Sequence, residues 1–193
     1  MRALLLVTLI ALTAGPGCAS AETPALQARY LDALIPLVDQ LVSTQITNPD
    51  DPDYGALVSP SNNPQPNPRH SRAAEAVYPL AVAWKHTQDE AYRTAAIRLG
   101  NWLVDIQQDN GAWGENWPGH DGWDGTTADQ LISLAGALEL LGEDISDTDR
   151  QAWDSAIARA ADFSRERFGA GRSNINYIPT AAVGLVLAHR AVA

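Results

Sequence analysis

Apolar residues recur along the chain at the three-and-four spacing of amphipathic helices, and no run alternates at the two-residue spacing of a strand. Six segments carry the helical pattern, so the expected fold class is all-α. The first, over 25–46, places Leu31, Leu34, Ile35, Val38, Leu41 and Val42 on one face, with Pro36 expected to kink it. The second, over 72–85, follows Ser71 as N-cap and buries Ala73, Val77, Leu80, Ala81 and Trp84; Pro79 in its interior should bend it. The third, over 90–107, has the cleanest stripe, from Tyr92, Ala95, Ala96, Leu99, Trp102, Leu103 and Ile106. Thr126-x-x-Asp129, a capping-box pattern with Asp in the Glu position, opens the fourth, over 127–141, and Gly142 ends it. Ser146-x-x-Asp149 opens the fifth, which runs to about residue 168, and the sixth, over 179–193, has Pro179 in its first turn.

The connections differ in length. Those at 86–89 and 142–146 are short, whereas 47–70 and the stretches between helices three and four and between five and six are long. In stacked antiparallel helical hairpins, alternate connections lie at opposite ends. The three long connections therefore share one end, and long structureless loops in compact domains are usually functional or disordered. The architecture expected is a set of antiparallel α-hairpins forming an incomplete or small α/α toroid of about six helices, with its site at the long-loop end. Pro60, Pro64, Pro66 and Pro68 bias the first connection toward turns and extended chain.

Length and composition narrow this picture. The 193 residues suit one domain with a real core. A positive start at Arg2, an uncharged apolar run over 3–14 and the small-x-small site Ala19-Ser20-Ala21 mark 1–21 as a secretory signal peptide, leaving 22–193 as the domain. The apolar run is too short to span a membrane. Cys18, the single cysteine, lies in this segment, so the mature chain can form no internal disulfide and use no thiolate. Secretion, or export to the periplasm, is expected; lipid attachment at Cys18 is the competing reading, although Gly15-Pro16-Gly17 matches a lipoprotein signal poorly. The net charge of −10 argues against nucleic acid or an anionic membrane as partner.

Candidate chemistry gathers on the long connections. Between helices three and four stand Trp113, Trp117 and Trp123 with Glu115, Asn116, His120, Asp121 and Asp124. Aromatic rings interleaved with hydrogen-bonding groups suit a sugar, whose apolar face stacks while its rim hydroxyls bond. The plainer alternative is that the tryptophans fold inward and plug the bundle. His70 and Arg72 flank the start of helix two, where a cation could hold a carboxylate and a histidine could take a proton; a cap and a surface charge is the bland reading. Asn174, Asn176 and Tyr177 occupy the third long connection, able to stabilise an enolate or merely to form an Asx turn. The run Asp50-Asp51-Pro52-Asp53 lacks the spacing of a calcium loop, and neither metal nor cofactor is expected.

Several stretches resemble a known family. Asp53-Tyr54-Gly55-Ala56-Leu57-Val58, His70-Ser71-Arg72-Ala73-Ala74-Glu75-Ala76-Val77-Tyr78-Pro79, Leu99-Gly100-Asn101-Trp102-Leu103, Gly111-x-Trp113, Gly125-Thr126-Thr127-x-Asp129-Gln130 and Asn174-Ile175-Asn176-Tyr177 are similar to the helical region of exported bacterial polysaccharide lyases of the heparinase II/III-like type. The resemblance implies an α/α toroid and β-elimination on a uronate polysaccharide by Asn, His, Tyr and Arg. It casts His70 or Tyr177 as base or acid, Asn174 or Asn176 with Arg72 as carboxylate neutraliser, and Trp113, Trp117 and Trp123 as subsite platforms, with Glu115, Asn116, His120 and Asp124 beside them. Six helices make half of a twelve-helix toroid, which leaves three readings open: a truncated member with a missing C-terminal half, a compact relative, or a half-barrel that depends on a partner domain. Two alternatives stay open: a glycoside hydrolase using Asp124 with Glu115 or Asp121, and a non-catalytic glycan-binding or scaffold domain.

Overall fold

The computed structural model describes residues 22–58, 71–114, 125–168 and 177–192. These residues form six α-helices: α1 (Glu22–Ser43), α2 (Val77–Thr87), α3 (Glu90–Asp105), α4 (Gly125–Leu141), α5 (Asp147–Arg167) and α6 (Tyr177–Ala191). A 3-10 segment, Ser71–Ala76, leads into α2. Among the described residues the only β pairing is an isolated antiparallel bridge between Gln45 and Leu57, so the all-α reading holds. No described helix is long and apolar enough to cross a membrane.

The helices lie in two layers, with α1, α3 and α5 in one and α2, α4 and α6 in the other. Short connections join α2 to α3 and α4 to α5 as hairpins. The helices of the second layer run parallel: Ser71 meets Gln130 where Tyr78 meets Gly136, and Gly184 meets Leu131 where Arg190 meets Glu139. Each of α2, α4 and α6 is preceded by a long connection, so the starts of all three helices share one end of the molecule. Helix α4 is central to the core, burying Leu131, Leu134, Leu138 and Leu141 against Leu80, Leu99, Leu103 and Trp153.

Helix ends follow local chemistry, with three departures from expectation. Asp89 caps α3 by accepting from the Ala91 N–H at 2.9 Å, and Ser146 caps α5 by accepting from Asp149 N–H at 3.1 Å while donating to its carboxylate at 2.7 Å. Pro79 does not bend a helix interior. It lies in the first turn of α2, where a missing N–H costs nothing, and the chain before it takes the tighter 3-10 form. Helix α1 stops at Ser43, because Gln45 leaves the helix and is buried, donating from its side chain to the carbonyls of Gly55 and Ala95, both at 2.9 Å. Thr126 is no cap: α4 already starts at Gly125, the Thr126 hydroxyl is buried without a partner, and Asp129 turns to Arg72.

Gly100 shows how closely α3 and α5 approach within their layer. A Cβ there would lie 1.9 Å from the ring of Trp153, which is fully buried and donates from its indole N–H to Asn101 at 2.7 Å.

Candidate functional site

Segments bordering the three long connections meet at the start of α4. From the first connection, the Ser71 hydroxyl donates to the Gly114 carbonyl, and the Ser71 carbonyl accepts from the Gln130 side chain at 2.7 Å. From the second, the Trp113 N–H donates to the Thr127 hydroxyl at 3.0 Å, and that hydroxyl lies 3.3 Å from the Trp113 carbonyl. From the third, the Tyr177 and Phe168 rings pack with centroids 5.8 Å apart, against Ala128 and Ala181. Thus Thr127, Ala128, Asp129 and Gln130 each reach one of these segments.

The beginning of the second connection is built rather than loose. Gly111, at φ +86°, makes a turn that few other residues adopt, and a Cβ on it would lie 2.4 Å from the Arg159 carbonyl. Gln107 reinforces the turn by donating to the carbonyls of Gly111 at 3.0 Å and Ala156 at 2.9 Å. The chain is thereby aimed inward at Trp113. This ring is only 1% exposed, and its indole N–H donates to the Leu103 carbonyl at 2.8 Å. Gln107, which would continue the α3 ladder to that carbonyl, donates to Val104 instead. Trp113 therefore closes an orphan carbonyl at the end of α3. The expectation of a sugar platform at Trp113 is corrected: a ring with no free face and a spent N–H is part of the core.

Arg72 sits at this end between two carboxylates, bonding Glu75 at 2.9 Å and approaching Asp129 at 3.5 Å. Burial raises the Asp129 carboxyl above the ordinary carboxylate range, Glu75 adds to the rise, and Arg72 opposes it. Any substrate carboxylate held by Arg72 must compete with these two groups. Tyr177, in the first turn of α6, also lies at this end. The other residues singled out from sequence, His70, Glu115, Asn116, Trp117, His120, Asp121, Trp123, Asp124, Asn174 and Asn176, lie outside the described residues. Sequence reasoning overlooked Glu75, Thr127 and Gln130 as parts of this region. The signal for the last two was present in polar residues standing in a helix otherwise filled with apolar ones.

Asp53 has a structural contact, accepting from the Trp102 indole at 3.4 Å, and among the described residues no group of three His, Cys, Asp or Glu is placed to hold a metal. A separate groove of about 280 Å³ lies on the face shared by α2, α4 and α6, between Tyr78, Ile132, Leu140 and Leu187, with the Glu139–Arg190 pair beside it.

Comparison with known proteins adds a family to this geometry. The family model described as the ulvan lyase N-terminal domain matches residues 34–193. A broad-specificity ulvan lyase from Formosa agariphila is 34% identical over 149 residues, which cover 76% of this chain and 23% of the relative. The chain thus spans about a quarter of that relative's length. No solved structure matches the chain. The extent of the family match, over a helical array of the class its motifs imply, establishes that this chain belongs to the ulvan lyase N-terminal domain family.

Proposed function

We propose that the chain is the helical domain of an exported polysaccharide lyase, acting by β-elimination on a uronate glycan of the ulvan type at the long-connection end. The observation that carries this reading is the meeting of Arg72, Tyr177 and the root of the tryptophan-bearing connection at the start of α4, in a chain whose family is that of an ulvan lyase domain. In the reaction, a base removes the proton α to the uronate carboxylate and the adjacent glycosidic C–O bond breaks. A C=C bond forms, and an acid protonates the departing oxygen. His70 and Tyr177 share the base and acid roles. Asn174 or Asn176, with Arg72, offsets the charge that builds on the carboxylate. Trp117 and Trp123 stack the sugar rings, and Glu115, Asn116, His120 and Asp124 bond the hydroxyls around them.

Residues 1–21 are read as the export signal. Exposed apolar residues on the outermost helices, Leu26, Tyr30 and Leu37 on α1 and Ile178, Val183 and Val186 on α6, support docking of a further domain or partner at the open edges of the array.

The test incubates the chain, without its signal, with ulvan and with a neutral glycan. Ultraviolet absorbance from an unsaturated product on ulvan alone supports the lyase. New reducing ends without that absorbance point to a hydrolase and overturn it. A second reading, glycan binding without catalysis, is favoured by the match to only 23% of the relative, which leaves room for the reacting groups elsewhere. Retention on immobilised ulvan with neither product signal would decide for it.

A further inference from the structure

We propose that the groove on the common face of α2, α4 and α6 is a glycan subsite, taking an uncharged sugar ring stacked on Tyr78 with its hydroxyls on the Glu139–Arg190 pair. The inference rests on the reading of the chain as a glycan-acting domain, but it uses none of the residues given to the elimination. Tyr78 is 44% exposed, although Val77, Leu80 and Ala81 around it are fully buried. Its ring rests in a notch of α4 made by Gly136, where a Cβ would stand 2.9 Å from Cδ2 and Cε2. Glycine weakens a helix interior, and here it opens the space that seats the ring. A ring seated in advance loses little freedom when a ligand stacks on it.

The surroundings select the ligand. Half-buried Ile132, Leu140 and Leu187 continue the apolar surface beside the ring, in a groove of about 280 Å³. That volume lies just under the roughly 300–1,000 Å³ of small-molecule sites, which suits a single sugar ring. A stable protein partner would instead need a contact of about 800 Å² on each side. At the rim Glu139 and Arg190 bond one another; together they carry no net charge while offering an acceptor and several donors. A sugar has the matching chemistry, with an apolar face for the aromatic ring and hydroxyls that both donate and accept. A ligand with a carboxylate of its own would meet Glu139. The stripe Asp129, Ile132, Gly136 and Leu140 follows one face of α4 at helical spacing. The groove therefore faces the same side as the Arg72–Asp129 pair, with Glu139 about 15 Å further along the helix. A glycan held at the long-connection end can reach it along α4.

The test titrates the chain, without its signal, with methyl glucoside and with methyl glucuronide, which differ only in a hydroxymethyl or a carboxylate at one carbon, and follows backbone amides by nuclear magnetic resonance. The amides of Gly136 and Arg190 should shift saturably, and the glucoside should bind the more tightly. Tyr78→Ala should weaken glucoside binding roughly tenfold. Glu139→Gln, a change in an exposed pair, leaves Arg190 its charge and should reverse the order of the two sugars. An unmoved Gly136 amide, equal affinity in Tyr78→Ala, or an unchanged order in Glu139→Gln would overturn the proposal. So would Gly136 shifts that grow with protein concentration in the absence of sugar, which would assign the groove to a second copy of the chain. If Tyr78→Ala does not fold, Gly136→Ala keeps the ring but fills its notch, and the same weakening is expected. Product formation from ulvan is read separately. Unsaturated product without a groove shift defeats this site alone, and groove shifts without product defeat the lyase reading alone.

Discussion

Replacement of Trp113 distinguishes a ring that supports the site from one that meets the glycan. In Trp113→Phe the pocket between α3 and α4 keeps an aromatic ring, but the Leu103 carbonyl loses the donor it takes from the indole at 2.8 Å. A buried acceptor left unpaired costs about 1–3 kcal/mol. Trp113→Ala removes the whole ring and should cost about 3–5 kcal/mol through lost contacts and the cavity left behind. Set against a stability of about 5–15 kcal/mol for a domain, the first change lowers the unfolding midpoint and the second threatens the fold. Urea unfolding followed by far-ultraviolet circular dichroism should order the proteins as parent, Phe, then Ala. Retention of the folded Phe variant on immobilised ulvan should match the parent. A Phe variant that unfolds at the parent midpoint yet loses retention would refute the core assignment and restore the platform role.

Three further outcomes follow from the packing. Gly100→Ala places a methyl 1.9 Å from the Trp153 ring; the overpacking penalty of about 1–3 kcal/mol exceeds the roughly 0.5–1 kcal/mol that alanine gains in a helix, so the unfolding midpoint should drop, and an equal or higher midpoint would refute the close approach. Tyr92, hydrogen-bonded to Asp39 at 2.7 Å, has its phenol pushed up to about 12 by that bond first and by burial next. Because the folded chain holds this proton more tightly, the contribution is complete below the ordinary value of 10.0 and is lost as pH rises through about 12. Tyr92→Phe should abolish this alkaline loss of stability, and an identical pH profile would count against the bond. Arg72→Met removes the charge that draws the Asp129 carboxyl back down, so its titration midpoint, followed by carboxyl carbon resonance, should rise; no movement would show that the 3.5 Å approach carries no weight.

The pattern along the chain located the six α-helices of the described residues because each spans enough turns for an apolar stripe to repeat, as with Leu99, Trp102, Leu103 and Ile106. The inequality of the connections was also readable, and with it the gathering of their roots at one end. Pro79 shows the limit of pattern alone: the same proline can bend a helix or open one, and which occurs depends on how the preceding six residues pack. Thr126 shows it again, since a capping motif is defined by spacing, whereas the helix start is set by what the first turn touches.

The same contrast runs through the candidate site. Composition made the tryptophan connection conspicuous, but three tryptophans in one glycine-rich stretch look alike in one dimension. Only tertiary packing decides that Trp113 turns inward, because the Gly111 turn aims it at the Leu103 carbonyl that the α3 ladder leaves unpaired, and nothing in the sequence pattern marks that carbonyl as short of a donor. Likewise Arg72 has Glu75 beside it within its own 3-10 segment, but only the packing of that segment against α4 brings Asp129 to it. Local periodicity is a property of neighbours a few residues apart, and so helices and their lengths are written in the chain. Which polar groups are paired, and which ring is left to meet a ligand, depends on contacts between residues tens of positions apart, and these exist only once the layers have packed.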